Sequence, residues 1–193
     1  MQLELWSDPL YRETVFLVVG VLFAVGILTF PFRNRNLHWQ AHWASLKSWL
    51  FAAPVLMILC GFSSPTPLII LCLIAIVGAK VFFQMMGMYH RSNFVWATYV
   101  GIIGLGLAIH YQHHWLYNLA PMMFLGAICL IPILRNSATQ MIQYLSLTLM
   151  CFSFLGWAFM HLGFIWQLEG GPFMVIYLII LTEVCDNMYL LLS

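Results

Sequence analysis

The sequence predicts an all-α fold, a polytopic transmembrane bundle of about seven spans, and three observations carry that prediction. Of its 193 residues, 63% are hydrophobic and only 7% charged, whereas a soluble domain carries about a quarter charged residues. Mean hydropathy is +0.94. The apolar residues also gather into runs of membrane-crossing length, and within a bilayer an open-edged sheet cannot satisfy its backbone, so each run reads as a helix.

The first run covers about residues 14 to 32; it follows the acidic stretch Met1 to Glu13 and lacks a small-residue cleavage site, so it is expected to remain as an anchor. The second, about 48 to 62, is short. Ahead of it lies Asn36-Leu-His-Trp-Gln-Ala-His-Trp43, where His38 and His42 are spaced to share a helical face but have no third ligand. Trp39, Trp43 and Trp49 favour an amphipathic helix lying in the membrane interface. After the turn Ser63-Ser-Pro-Thr-Pro67 the third run, 67 to 88, carries Lys80. The fourth, 93 to 109, has Gly101, Gly104 and Gly106 for close helix approach, and Met85, Met86, Met88, Met122 and Met123 are expected to fill packing gaps. His110-Tyr-Gln-His113-His114 reads as a polar turn before the fifth run, 116 to 134. His161 lies in the sixth, 141 to 164, where haem ligation would need a partner histidine at matching depth. Glu169-Gly-Gly-Pro172 then turns the chain into the seventh, 173 to 192.

Basic residues set the expected orientation. Arg33, Arg35 and Lys47 lie between runs one and two, Lys80 and Arg91 around the third connection, and Arg135 between runs five and six, with Arg12 alone opposite. The N-terminus is therefore expected outside and the C-terminal end in the cytoplasm. No internal repeat or linker divides the chain, so residues 1–193 read as a single transmembrane helical domain. Net charge is +1 with no basic stripe, which argues against a nucleic-acid partner. The five cysteines are scattered in apolar sequence without metal-binding spacing and read as small buried hydrophobes.

The chemistry concentrates in the last run. Glu183 and Asp186 sit three residues apart amid apolar sequence, with Asn187 one turn from Glu183. A helix starting at Pro172 would carry Asp186 about 21 Å into a hydrocarbon layer about 30 Å thick. Ionisable side chains at that depth mark functional sites by default. The pair needs a cation: either Mg²⁺, which accepts such oxygen donors, or a basic side chain, for which Lys80 is the natural counterpart. The bland alternative is a pair neutralised by protonation or by a structural Lys or Arg.

Through the segment Glu169-Gly-Gly-Pro-Phe-Met-Val-Ile-Tyr-Leu-Ile-Ile-Leu-Thr-Glu-Val-Cys-Asp-Asn-Met-Tyr189, its motif-like part, the chain as a whole resembles the N-terminal two-thirds of bacterial phosphatidate cytidylyltransferases, or CDP-diacylglycerol synthases. In that family an apolar run leads to Gln or Glu, two further residues, an Asp and soon a Tyr, here Glu183, Asp186 and Tyr189. Ala79-Lys80-Val81-Phe82 stands where the family frequently has Arg-Glu-Phe. The resemblance implies transfer of CMP from CTP to phosphatidate, with Asp186 as a carboxylate that binds the metal or orients one of its ligands, Glu183 orienting, Asn187 and Tyr189 in substrate binding, Lys80 contacting phosphate, and Mg²⁺ as the ion. It also implies a homodimer in a bacterial inner membrane. The family's Ser-Pro-x-Lys-Thr-x-Glu-Gly loop and later acidic cluster do not occur in residues 1–193, so the chain is expected to be the N-terminal part of a longer protein and inactive alone. Two rival readings remain: a non-catalytic membrane subunit of a larger complex, and a small cation- or proton-coupled transporter using the same acids.

Overall fold

The computed structural model describes residues 5–32, 37–62, 65–135 and 141–192. Within its helices, the side chains of residues 37, 38, 41, 42, 52, 59, 135, 183, 186, 187 and 189–192 lie outside the described set. Among the described residues there is no strand, and the fold is an all-α membrane helical bundle. Among the described residues, five helices are long and apolar enough to cross a bilayer: Pro9–Phe32, Thr66–Met85, Ser92–His110, His114–Leu134 and Met141–Gln167. Trp43–Ile58 and Gly171–Thr182, in the second and seventh expected runs, are shorter apolar stretches.

Backbone contacts divide the chain into two compact units, residues 1–66 with 165–193, and residues 67–164. The first unit opens with a 3₁₀ turn, Leu5–Ser7, and α1, Pro9–Thr29, which runs into a second 3₁₀ turn, Phe30–Phe32. Asp8 caps α1 by accepting a hydrogen bond from the Leu10 N–H at 2.9 Å, and Pro9 occupies the first turn, where its missing N–H costs nothing. Next comes α2, Leu37–Cys60. The expected interfacial helix around Trp39 and Trp43 is therefore not a separate element. No Gly or Pro occurs between Leu37 and Ala53, so nothing stops the helix before Pro54. The side chains of His38 and His42 lie outside the described residues, as do Arg33 and Arg35.

The core of this unit forms where α1 and α2 meet α8, Gly171–Leu192. Tyr11, Val15, Met57 and Ile176 are buried together. The Tyr11 hydroxyl donates to the Met57 carbonyl at 2.5 Å, and its ring meets Trp6 and Phe173 edge-on. Burying this ring is favourable because its one polar atom is satisfied.

In the second unit, α3 (Thr66–Met85), α4 (Ser92–His110), α5 (His114–Arg135) and α6 (Met141–Cys151) are followed by a π-helical segment, Phe152–Ala158, and α7 (Phe159–Gln167). The sixth expected run is thus three kinds of helix in series. Phe124 and Phe152 stack at 3.8 Å, and Gly101 leaves the space they fill. Gly106 likewise admits Cys72, whereas Gly104 has no neighbour within 4 Å and does not mediate packing. Of the methionines expected to fill gaps, only Met88 is buried; Met85, Met86, Met122 and Met123 are exposed. In a bilayer both faces of a helix can be apolar, so residue type does not reveal which one packs. Among the described residues, the buried polar side chains Thr98 and Thr148 return their hydroxyls to the carbonyls of Phe94 and Tyr144 one turn back.

Candidate functional site

The helix that carries the expected acids enters through Glu169-Gly-Gly-Pro172. Gly170 has φ +70°, a left-handed conformation that side chains with a Cβ disfavour. Gly171 is required for a different reason, since a Cβ there would overlap the carbonyl oxygens of Ile165 and Trp166. Pro172 follows at the second helical position. The end of α7 is tied down beside this turn, with Trp166 Nε1 donating to the Cys60 carbonyl at 3.3 Å. Val175 and Ile176 then anchor α8 in the unit's core.

Further along α8, Thr182 donates to the Leu178 carbonyl at 2.8 Å. Glu183, Asp186, Asn187 and Tyr189 belong to the same helix, but their side chains lie outside the described residues. Val184 and Met188, on either side of Asp186 in the sequence, line an apolar cavity of about 430 Å³ together with Val21, Leu22 and Trp49. Every described side chain in its wall is uncharged. Its volume and lining suit a hydrocarbon chain rather than a polar ligand. Lys80 is exposed on α3, in the second unit, whereas the acids belong to the first.

A hydrogen-bonded cluster that the sequence did not reveal lies in the second unit. The hydroxyl of fully buried Tyr117 donates to the Trp157 carbonyl, and Trp157 Nε1 donates back to the Tyr117 carbonyl at 3.1 Å. His161 Nδ1 is 2.9 Å from the Trp157 carbonyl and 3.1 Å from the Tyr117 hydroxyl. A carbonyl can only accept, so Nδ1 carries a proton. The Trp157 carbonyl belongs to the π-helical segment, where widened winding displaces backbone groups from the regular α-helical pattern. This cluster clamps α5 to that segment and occupies His161 in protein contacts. The spacing of Trp157 and His161 was the available sequence signal, but their common partner, 40 and 44 residues away, was not.

The remaining histidines are dispersed. His110 contacts the Tyr111 ring, and His114 the Phe164 ring. Among the described residues no three His, Cys, Asp or Glu side chains form a group able to hold a metal. All five cysteines are free, and Cys185 is exposed rather than buried as expected. No family model matches the chain, and no curated protein or solved structure is significantly similar to it.

Proposed function

We propose that the chain is the membrane-embedded part of a CTP:phosphatidate cytidylyltransferase of a bacterial inner membrane, which forms CDP-diacylglycerol for phospholipid synthesis. The observation that carries this reading is the pairing, along α8, of a Glu-x-x-Asp-Asn-x-Tyr sequence with an apolar cavity of acyl-chain character. One substrate of such an enzyme brings hydrocarbon from the bilayer and the other brings phosphates from water. A helix whose apolar residues border a lipid-sized hollow and whose acids can handle a phosphate-bound cation serves both.

In the proposed reaction a phosphate oxygen of phosphatidate attacks the α-phosphorus of CTP. The new P–O bond forms as the bond to the bridging oxygen breaks, and pyrophosphate departs with that electron pair. Glu183 and Asp186 supply only oxygen donors, which is the donor chemistry Mg²⁺ accepts, and Asp186 would hold the ion. When bound, Mg²⁺ neutralises charge on the phosphates and the leaving pyrophosphate. Glu183 orients the site, while Asn187 and Tyr189 contact substrate; a homodimer would present two such sites.

The test is Asp186→Asn in the full-length protein, with membranes assayed for CTP- and phosphatidate-dependent formation of CDP-diacylglycerol. A loss of roughly 100-fold or more is expected, the scale reported for groups that stabilise transition-state charge. Undiminished turnover in the variant, or no product from the wild type, would remove the proposal.

A further inference from the structure

A second site emerges at the turn between α3 and α4, far from the acids in sequence and within the other unit. The turn is built by hydrogen bonds in fixed order. Gly87, at φ +66°, donates to the Gln84 carbonyl at 3.1 Å, and the Met88 N–H reaches back to Phe83 at 2.9 Å. This is the paired closure that ends a helix on a left-handed residue, and the burial of both Phe83 and Met88 completes it. His90 Nδ1–H then donates to the Gly87 carbonyl at 2.9 Å, and the Arg91 N–H to Met88 at 2.8 Å. Arg91 is thereby fixed at the entrance to α4.

Around it lies a cavity of about 350 Å³ lined by His90, Arg91, Ser92, Asn93, Ile131 and Met141. Arg91 sits over the Tyr144 ring, with its guanidinium carbon 4.9 Å from the centroid. Its Nε is buried and has no hydrogen-bond partner among the described residues. A buried donor on a cation is costly to leave unsatisfied. No carboxylate of its own unit can satisfy it, because residues 67–164 contain Lys80, Arg91 and Arg135 but no Asp or Glu. The start of α4 adds the positive end of its dipole, while the N–H groups of Phe94 and Val95 already donate to the Arg91 carbonyl at 3.1 and 3.5 Å.

The location selects the anion. Helix α4 has 19 residues, which span about 28 Å at 1.5 Å per residue, matching a hydrocarbon layer about 30 Å thick. Arg91 at its first end therefore lies at the level where phospholipid phosphates sit. We infer that this pocket binds a phosphate oxyanion through Arg91 and the start of α4, and that the headgroup of an anionic phospholipid supplies it. The inference does not rest on the transferase reading, since its residues belong to the other unit and its readout is lipid retention.

The experiment is native mass spectrometry of the full-length protein in detergent, with phosphatidylglycerol and diacylglycerol of identical acyl chains added in competition. Wild-type protein is expected to retain phosphatidylglycerol preferentially, and Arg91→Gln to lower that preference about tenfold, on the scale of one charge-assisted contact. Arg91→Lys keeps the charge but loses the planar fork, and should fall in between. Arg12→Gln removes an exposed arginine from the first unit and controls for net charge. Thermal unfolding of each variant, and its unchanged diacylglycerol binding, separate a lost site from a lost fold. In a further arm inorganic phosphate is added: displacement of the lipid assigns the site to phosphate from either source, and resistance assigns it to the headgroup. Equal phosphatidylglycerol preference in wild type and folded Arg91→Gln would overturn the inference.

Discussion

Gly170 and Gly171 are adjacent, yet the structure requires glycine at each for a different physical reason, and substitution should separate the two. At Gly170 the constraint is conformational: φ is +70° and nothing stands within 4 Å of where a Cβ would be. Gly170→Ala should therefore cost about 1–2 kcal/mol, the penalty for a Cβ in the left-handed region, and Gly170→Asn less, because Asn tolerates that region. At Gly171 the constraint is steric. The overlapping atoms are the carbonyls of Ile165 and Trp166, which no rotamer change can move. Overpacking typically costs about 1–3 kcal/mol; here the backbone itself must yield, so Gly171→Ala should lie at or above about 3 kcal/mol and Gly171→Asn should not rescue it. Reversible unfolding in bicelles, with all four variants compared against wild type, measures the differences. Because this turn sets the entry of α8, the proposed function adds that Gly171→Ala should depress CDP-diacylglycerol formation, whereas Gly170→Asn should not. A Gly171→Ala protein no less stable than Gly170→Ala would refute the steric argument.

Two further outcomes follow from the second unit. Tyr117→Phe removes a hydroxyl with two partners but leaves the Trp157 carbonyl bonded to His161 and the Trp157 Nε1 bond intact; the expected cost is therefore about 1 kcal/mol, within the range for interhelical bonds in membranes, and unchanged unfolding would contradict the clamp. Gln112 closes α4 at φ +57°, with the His113 N–H bonded to Ala108 at 2.8 Å, so Gln112→Gly should raise stability by about 0.5–1 kcal/mol in the same assay.

The helical bundle was legible because hydropathy and length alone determine it, and most expected runs differ from the helices by only a few residues at their ends. Side-chain partners were not legible. Methionine and glycine positions misled because a lipid-facing surface and a packed one draw on the same residues: Gly104 and Met122 are exposed where Gly101 and Met88 pack. The π-helical segment left no local mark in the sequence, and the contacts it makes are tertiary. Phe152 must stack on Phe124, and the Trp157 carbonyl must meet Tyr117, which no local pattern encodes. The Gly-Gly-Pro turn was recognisable as a turn, but the distinct demand at each glycine required coordinates.

Charge shows what the acids on α8 should do. Every Asp and Glu of the chain lies in the first unit, together with Arg12, Arg33, Arg35 and Lys47. That unit therefore holds more acids than bases, and a purely structural ion pair for Glu183 and Asp186 would draw on a basic side chain already few in number. The two explanations predict opposite responses to neutralisation. If the acids form a structural ion pair, Glu183→Gln combined with Asp186→Asn strands a buried cation, and stability falls by several kcal/mol. If they instead await a metal-bound phosphate, two like charges three residues apart on one helix repel each other, and removing both relieves that repulsion. The double variant should then unfold no more easily than wild type while losing CDP-diacylglycerol formation. Combined stability and turnover measurements thus decide whether the acids serve the fold or the reaction.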